Sequence, residues 1–218
     1  MPPENYRVTI SALNIRAMPN TASKVISQLH KDDVIEKIGE SDDGKWIKLV
    51  WNGAEGWSSK KYLLKAPYIP PVGEDFAWMA IAEKEKGTFE IPGSENNPRV
   101  LEYLQSTTNL DKASKSKDET PWCSAFVNWC LKQAGYEGTN SALARSWLKW
   151  GQPLLEPRKG CIVVFTREVK FGHVGFFIER TETYIKVLGG NQQNLETKIY
   201  EVSEKDYPIS DLLGYRIP

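Results

Sequence analysis

The run DETPWCSAFVNWCLKQAGY, residues 118–136, decides how the rest of the chain is organised. Trp122, Ala125, Phe126, Trp129 and Cys130 recur at i, i+3, i+4, i+7 and i+8, the spacing of one apolar helix face, and Ser124, Asn128 and Lys132 form a polar line opposite. Thr120 suits the N-cap and Pro121 the first helical position, where a missing N–H costs nothing; Asp118 and Glu119 set negative charge at the positive end. Gly135 supplies the stop. Cys123 then lies in the first turn. Unpaired amides and the helix dipole there stabilise a thiolate, the attacking form of cysteine, and the same amides can hold an oxyanion on a carbonyl under attack. On position alone a small buried hydrophobe is an equal reading of Cys123, so the choice turns on whether a base is found elsewhere.

The surrounding chain of 218 residues is 40 % hydrophobic and 26 % charged, an ordinary globular composition. Lys plus Arg and Asp plus Glu are 28 each, so the net charge is zero and the basic footprint of a nucleic-acid binder is missing. The longest apolar runs, 162–165 and 174–178, are strand-sized and far short of the ~20 residues that cross a membrane. Neither nucleic acid nor membrane insertion is expected. The opening MPPENYRVTI has no basic n-region and no apolar h-region, so no secretory signal is visible. A chain made in the cytoplasm would then act elsewhere after release or secretion, unless an exported form has been trimmed. Three cysteines, separated by six and thirty residues, fit neither an even disulfide framework nor a paired zinc pattern. With only His30 and His173 as imidazoles, no metal and no cofactor are expected.

Residues 1–65 form a small all-β unit, with short apolar or alternating runs at 6–10, 25–29, 34–38, 46–50 and 56–58. Asp42, Asp43 and Gly44 make a turn before Trp46, and Asn52-Gly53 is a hairpin signal. Five short strands in so few residues predict a little barrel, with His30 on its surface. Residues 66–75 hold three prolines and a glycine and predict a semi-rigid linker. From 76 onward helices come first: 76–86 with Trp78, Met79, Ile81 and Ala82 inward, 98–105 with Val100, Leu101 and Leu104, the 118–136 helix, and 141–150 capped by Ser141 and stopped by Gly151. The polar run 106–117 is a loop. Strands follow at 161–166, 173–179, 184–188, 198–202 and 213–217, so residues 76–218 predict an α+β domain with helices packed on an antiparallel sheet.

His173 lies in FGHVGFFIE, where glycines at 172 and 175 leave room beside the imidazole. If the strands at 173–179 and 184–188 pair as a hairpin through 181–183, Asn191 in VLGGNQ comes back to His173 and can fix its tautomer. A structural histidine and a simple turn asparagine are the competing readings.

Two resemblances emerge from these blocks. Leu13 to Arg16, Pro19, Ser23 to Ile26, Gly44 to Leu49 and Gly56 to Leu63 resemble the bacterial SH3-like family, with Ala17 and Met18 where that family usually has a small residue and glycine. That resemblance implies binding of cell-wall peptide; a spacer or lid is the alternative. DETPWCSAFVNWCL, SALARSWLKWG, GHVGFF, VLGGNQ and the terminal LGYR together resemble the CHAP amidohydrolases and the NlpC-type papain-like cell-wall peptidases. This implies Cys123 as nucleophile, His173 as general base then acid, and Asn191 as orienter, with Ser124 near the bound peptide. Trp122 stands where NlpC-type members usually carry aspartate, and Cys161 in GCIVVF where the pattern runs Gly-Asp. Trp122, Ser124, Glu119, Gln192 and Arg145 are the residues expected to meet substrate, Arg145 with a surface position as the competing reading. Cys130 and the indoles of Trp129, Trp147 and Trp150 are expected in the core.

The expected activity is that of a peptidoglycan hydrolase cutting an amide of the stem peptide, with a D,L-endopeptidase preferred. Three readings compete with it: an amidase between muramic acid and L-alanine, a non-catalytic wall-binding protein that keeps the fold, and a papain-like enzyme acting on protein tails. Peptidoglycan is the expected partner, joined by an immunity protein if the chain is an injected effector rather than a phage lysin or exported enzyme.

Overall fold

A computed structural model describes residues 4–66, 75–168 and 171–218. Within it the chain divides into two units, residues 1–68 and 69–218. The expected linker 66–75 lies outside the described residues apart from Ala66 and Asp75.

Short alternating runs make eight strands in the first unit: β1 (Asn5–Val8), β2 (Ala12–Arg16), β3 (Val25–His30), β4 (Val34–Glu36), β5 (Gly39–Glu40), β6 (Trp46–Trp51), β7 (Ala54–Ser59) and β8 (Leu63–Ala66). β1 lies between β4 and β8, and the order β3-β2-β7-β6-β5 makes a second antiparallel sheet. Leu13 and Ile15 of β2 and Ile47 and Leu49 of β6 point inward at period two and meet Val8, Leu29, Ile35 and Leu63. Asn52 and Gly53, at φ 51° and 78°, form the two-residue turn that their sequence predicts between β6 and β7. A Cβ on Gly56 would stand 2.4 Å from Ile15 Cγ2 and 3.0 Å from the Arg16 carbonyl, so only glycine lets β7 come this close to β2. The expected strand 34–38 is shortened to β4, and β2, β5 and β8 were not among the five expected runs. His30 is exposed.

The second unit runs α1 (Ala77–Lys84), α2 (Pro98–Gln105), α3 (Cys123–Gln133), β9 (Gln152–Leu154), β10 (Ile162–Arg167), β11 (Phe171–Arg180), β12 (Tyr184–Gln193), β13 (Tyr200–Pro208) and β14 (Leu212–Ile217). Its six strands form one antiparallel sheet in the order β13-β12-β11-β10-β14-β9. The described chain is thus mostly β, with several sheets and few helices. α3 packs against β11 and β12, and Phe126 meets Phe176 edge to face with ring centroids 6.2 Å apart.

Three local expectations give way to longer-range contacts. First, α3 starts at Cys123, with Trp122 in the N-cap position and no side-chain cap. Thr120 is not its cap, because its hydroxyl donates to the Ser114 carbonyl at 2.7 Å, and Pro121 precedes the helix. Asp118 is fully buried and turned away from the helix: its Oδ2 accepts from the Ile91 and Asn97 amides at 2.9 and 2.8 Å. Second, every α3 residue from Cys123 to Leu131 is buried, so Ser124 and Asn128 form an internal seam rather than a wet face. Asn128 donates to the Ser124 and Ser141 carbonyls at 2.9 and 3.0 Å and accepts from the Asn140 amide at 2.8 Å. Third, the helix expected at 141–150 is a 3-10 segment, Ala144–Lys149, following Leu143. Ser141 cannot open a longer helix there, because its carbonyl is already taken by Ser124 and Asn128.

The Asp118 contacts carry a stability prediction. Asp118→Ala leaves two amides, one of them that of the α2 N-cap residue Asn97, without their charged acceptor. The expected loss is about 3 kcal/mol, read from urea unfolding, with Asp118→Asn losing less. A change below about 0.5 kcal/mol would contradict the role assigned to this carboxylate.

Candidate active site

Cys123 is 5 % exposed at the first position of α3. The N–H groups of Val174, Ser124 and Cys123 itself are directed to its sulfur. Val174 follows His173 on β11, so the helix start and the histidine strand converge on the thiol. Burial pushes the Cys123 thiol above its ordinary value, opposed by the positive charge of Arg167 and by those three amides. The depression expected from a helix start is therefore outweighed by exclusion of water.

His173 is fully buried. Its ring stacks on Tyr207 at 4.8 Å and 19°, and Tyr207 stacks also on Phe165, the cross-strand partner of His173. Burial holds the imidazole well below its ordinary pKa, and Arg167 adds to that effect while Gln192 opposes it. The resting pair is thus a thiol and a neutral imidazole.

Gln192, not Asn191, meets the histidine: His173 Nε2 and Gln192 Oε1 are 3.2 Å apart. The Gln192 amide nitrogen donates to the Ser203 carbonyl, which fixes the other end of the amide as an acceptor. His173 Nε2 then carries the proton, and Nδ1, which has no hydrogen-bond partner among the described residues, carries the free lone pair. Asn191 does not meet His173, because the strand is bulged. Gly189 pairs with Ser203 and Gln192 with Glu201, so three steps on β12 face two on β13, and Asn191 takes the left-handed φ of 57°. The extra residue returns Gln192 to the side of Gly189, where an added Cβ would lie 3.3 Å from both His173 Nε2 and the Gln192 amide. Room beside the imidazole comes from Gly189. Gly172 instead fits against the Phe165 carbonyl and the Arg145 stem, and Gly175 against Val187 and the Leu188 carbonyl.

Asn191 donates to Glu90 Oε1 at 3.0 Å, and Trp122 Nε1 donates to the same oxygen at 2.8 Å. Glu90 is placed by the segment 87–90, which runs beside β13 through hydrogen bonds to Val202 and Tyr200. Its pKa is raised chiefly by burial. One carboxylate thus ties the residue before Cys123 to the residue before Gln192. We expect Glu90→Ala to lower stability by about 1–2 kcal/mol in urea unfolding by leaving both donors unpaired, and Glu90→Gln, which keeps the accepting oxygen, to lose less. Equal losses in the two variants would show that charge, not placement, matters.

The other expected substrate residues are differently used. Trp122 is fully buried. Ser124 is enclosed, donating to the Ser141 carbonyl at 2.6 Å and accepting from Trp147 Nε1 at 2.8 Å. Gln192 is fully buried on His173. Arg145 binds the Phe171 carbonyl, Thr166 Oγ1 and the Glu168 carbonyl at 3.0, 2.8 and 3.4 Å, and so braces the chain between β10 and β11. Glu119 is exposed and, with Glu90 and residues 197–200, lines a cavity of about 330 Å³. Cys130 and Cys161 are free and fully buried; burial pushes the Cys130 thiol well above its ordinary value and that of Cys161 to about 12. Glu90, Arg167 and Tyr207 were missed by sequence reasoning, because each reaches the site from a distant strand or loop.

Residues 11–63 match the bacterial SH3 domain family and residues 115–191 the CHAP domain family. The chain thus carries a bacterial SH3 domain match followed by a CHAP domain match, and the latter supports a cysteine peptidase or amidase acting on peptidoglycan. Solved structures similar to it are of NlpC/P60-type proteins. NlpC1 from Trichomonas vaginalis is 11 % identical over 97 % of this chain and 68 % of its own, with a TM-score of 0.38. A protein similar to lipoprotein of the NLP/P60 family from Staphylococcus aureus subsp. aureus Mu50 is 18 % identical over 76 % of this chain and 52 % of its own, with a TM-score of 0.41. An NlpC/P60 endopeptidase from Photobacterium damselae subsp. piscicida is 11 % identical over 94 % and 66 %, with a TM-score of 0.25. No curated protein matches the chain. Among the described residues no helix is long and apolar enough to cross a membrane.

Proposed function

We propose that the second unit cleaves an amide of the peptidoglycan stem peptide as a D,L-endopeptidase, through Cys123, His173 and Gln192, and that the SH3 domain holds the chain on the cell wall. The observation that carries this reading is the tautomer. A Gln192 amide anchored on Ser203 leaves His173 Nδ1 as an unprotonated, unpartnered atom on the strand that meets the Cys123 sulfur. Nδ1 takes the thiol proton as Sγ attacks the carbonyl carbon. The oxyanion is held by the amides of Cys123 and Ser124 in the first turn of α3. His173 returns the proton to the leaving amine as the C–N bond breaks, giving a thioester. Nδ1 then takes a proton from water, hydroxide attacks the thioester, and the proton goes back to sulfur as the acid leaves. Asn191 has a supporting part, holding Glu90.

The test is mass spectrometry of soluble products from purified sacculi treated with wild type and with Cys123→Ala. New amino termini within the stem, made by the wild type alone, are expected. Release of intact peptides beginning with L-alanine would replace the endopeptidase by an amidase. Sacculi bound but unchanged by both proteins would sink the catalytic reading on this substrate.

A further inference from the structure

Two cations stand beside the proposed dyad with no carboxylate among the described residues to answer them. Arg167 follows Phe165 by two residues on β10, and Lys205 precedes Tyr207 by two on β13, so each shares a face with a residue of the ring stack around His173. Arg167 Nη2 donates to the Tyr207 hydroxyl at 3.4 Å, and Lys205 Nζ to the Gln193 carbonyl at 3.0 Å. Both side chains are half-buried, and among the described residues neither forms an ion pair, although lysines and arginines elsewhere in the chain do so repeatedly. The positive charge of Arg167 bears on Cys123, His173, Tyr207 and Lys205 alike, which places it within reach of all four. Burial and Arg167 together lower the Lys205 pKa, as two neighbouring cations without a counter-charge require. Nothing in the dyad supplies that charge: the thiol and imidazole are neutral at rest, and the partner of His173 is an amide rather than a carboxylate.

Half-buried cations left unpaired are costly unless a ligand completes them, and guanidinium suits a carboxylate through two parallel hydrogen bonds. We propose that Arg167, Lys205 and the Tyr207 hydroxyl form an anion subsite that takes a carboxylate borne by the peptide residue next to the scissile amide. This rests on the amide-cleaving reading above and adds what that site selects. A substrate whose carboxylate is converted to a carboxamide loses the charge but keeps the shape, so it binds this subsite poorly.

The experiment uses the full chain and two synthetic stem peptides that differ only at the α-carboxyl of the γ-linked D-glutamyl residue, free acid in one and carboxamide in the other. Wild type is expected to show a kcat/KM about tenfold or more higher for the acid. In Arg167→Gln, and more weakly in Lys205→Gln, the ratio between the two peptides is expected to fall towards one, with Arg167→Lys between. An unselective wild type, or variants that slow both peptides equally and keep the ratio, would overturn the subsite and leave Arg167 as a field on the dyad alone. Binding of both peptides to Cys123→Ala, measured by calorimetry, separates the two claims. If the wild type cuts neither peptide, the proposed activity falls; the subsite stands if the acid still binds the tighter, and falls too if the acid and carboxamide bind equally.

Discussion

Cys123→Ser is expected to cut stem peptides about 10³-fold more slowly than the wild type, or worse, while unfolding in urea within about 1 kcal/mol of it. A serine hydroxyl in the same place has the size to fill the first turn of α3, but at neutral pH it lacks the nucleophilicity of sulfur. The measurement decides between the two readings of this residue. A small buried hydrophobe at 5 % exposure would make the substitution costly to folding and irrelevant to turnover. Loss of turnover with folding intact assigns Cys123 the nucleophilic role. Because burial holds the thiol above its ordinary value, its alkylation by iodoacetamide at pH 7 is also expected to be slow.

His173→Gln is expected to reduce kcat/KM by a similar factor, and the wild type to show where its base titrates. In the proposed mechanism the imidazole acts in its neutral form, and its pKa is held well below the ordinary 6.5 by burial first and by Arg167 second. The acid limb of the kcat/KM profile therefore lies below pH 6.5. A limb at or above that value would contradict the buried, neutral imidazole. The same shift has a folding consequence, and its sign follows from linkage. Between the lowered folded pKa and 6.5 the unfolded chain binds the extra proton, so the contribution of neutral His173 is complete above about pH 6.5 and is lost as pH falls towards the folded value. Urea midpoints taken from pH 7.5 downwards should decline through that window in the wild type and less steeply in His173→Gln.

Much of this arrangement is legible from local pattern. The apolar spacing of 122–130, the proline that opens α2 and the Asn-Gly turn between β6 and β7 are all local signals, and each corresponds to an element in the structure. What escaped was set by contacts between distant residues. Asp118 belongs by sequence to the helix it precedes, yet its carboxylate is drawn to amides 21 and 27 residues earlier. Ser124 and Asn128 look like a solvent face until the segment 139–141 covers them. Arg145 carries no mark that distinguishes a brace from a substrate contact. Glu90 reaches Asn191 across 101 residues, a relation no periodicity encodes.

The left-handed Asn191 has a consequence for how this protein varies through descent. Column-by-column comparison of sequences pairs side chains by their order along the chain, whereas the imidazole is served by whichever amide the strand's path delivers. Here the two assignments differ by one position, and the CHAP match ends at Asn191, just before the residue that meets His173. Loss of the Gln192 codon would restore simple alternation and present Asn191 to His173 at the cost of its contact with Glu90, whereas loss of Gly190 or Asn191 would straighten the strand and keep the glutamine there. The length of this strand, as well as the identity of its residues, therefore sets which side chain faces the imidazole.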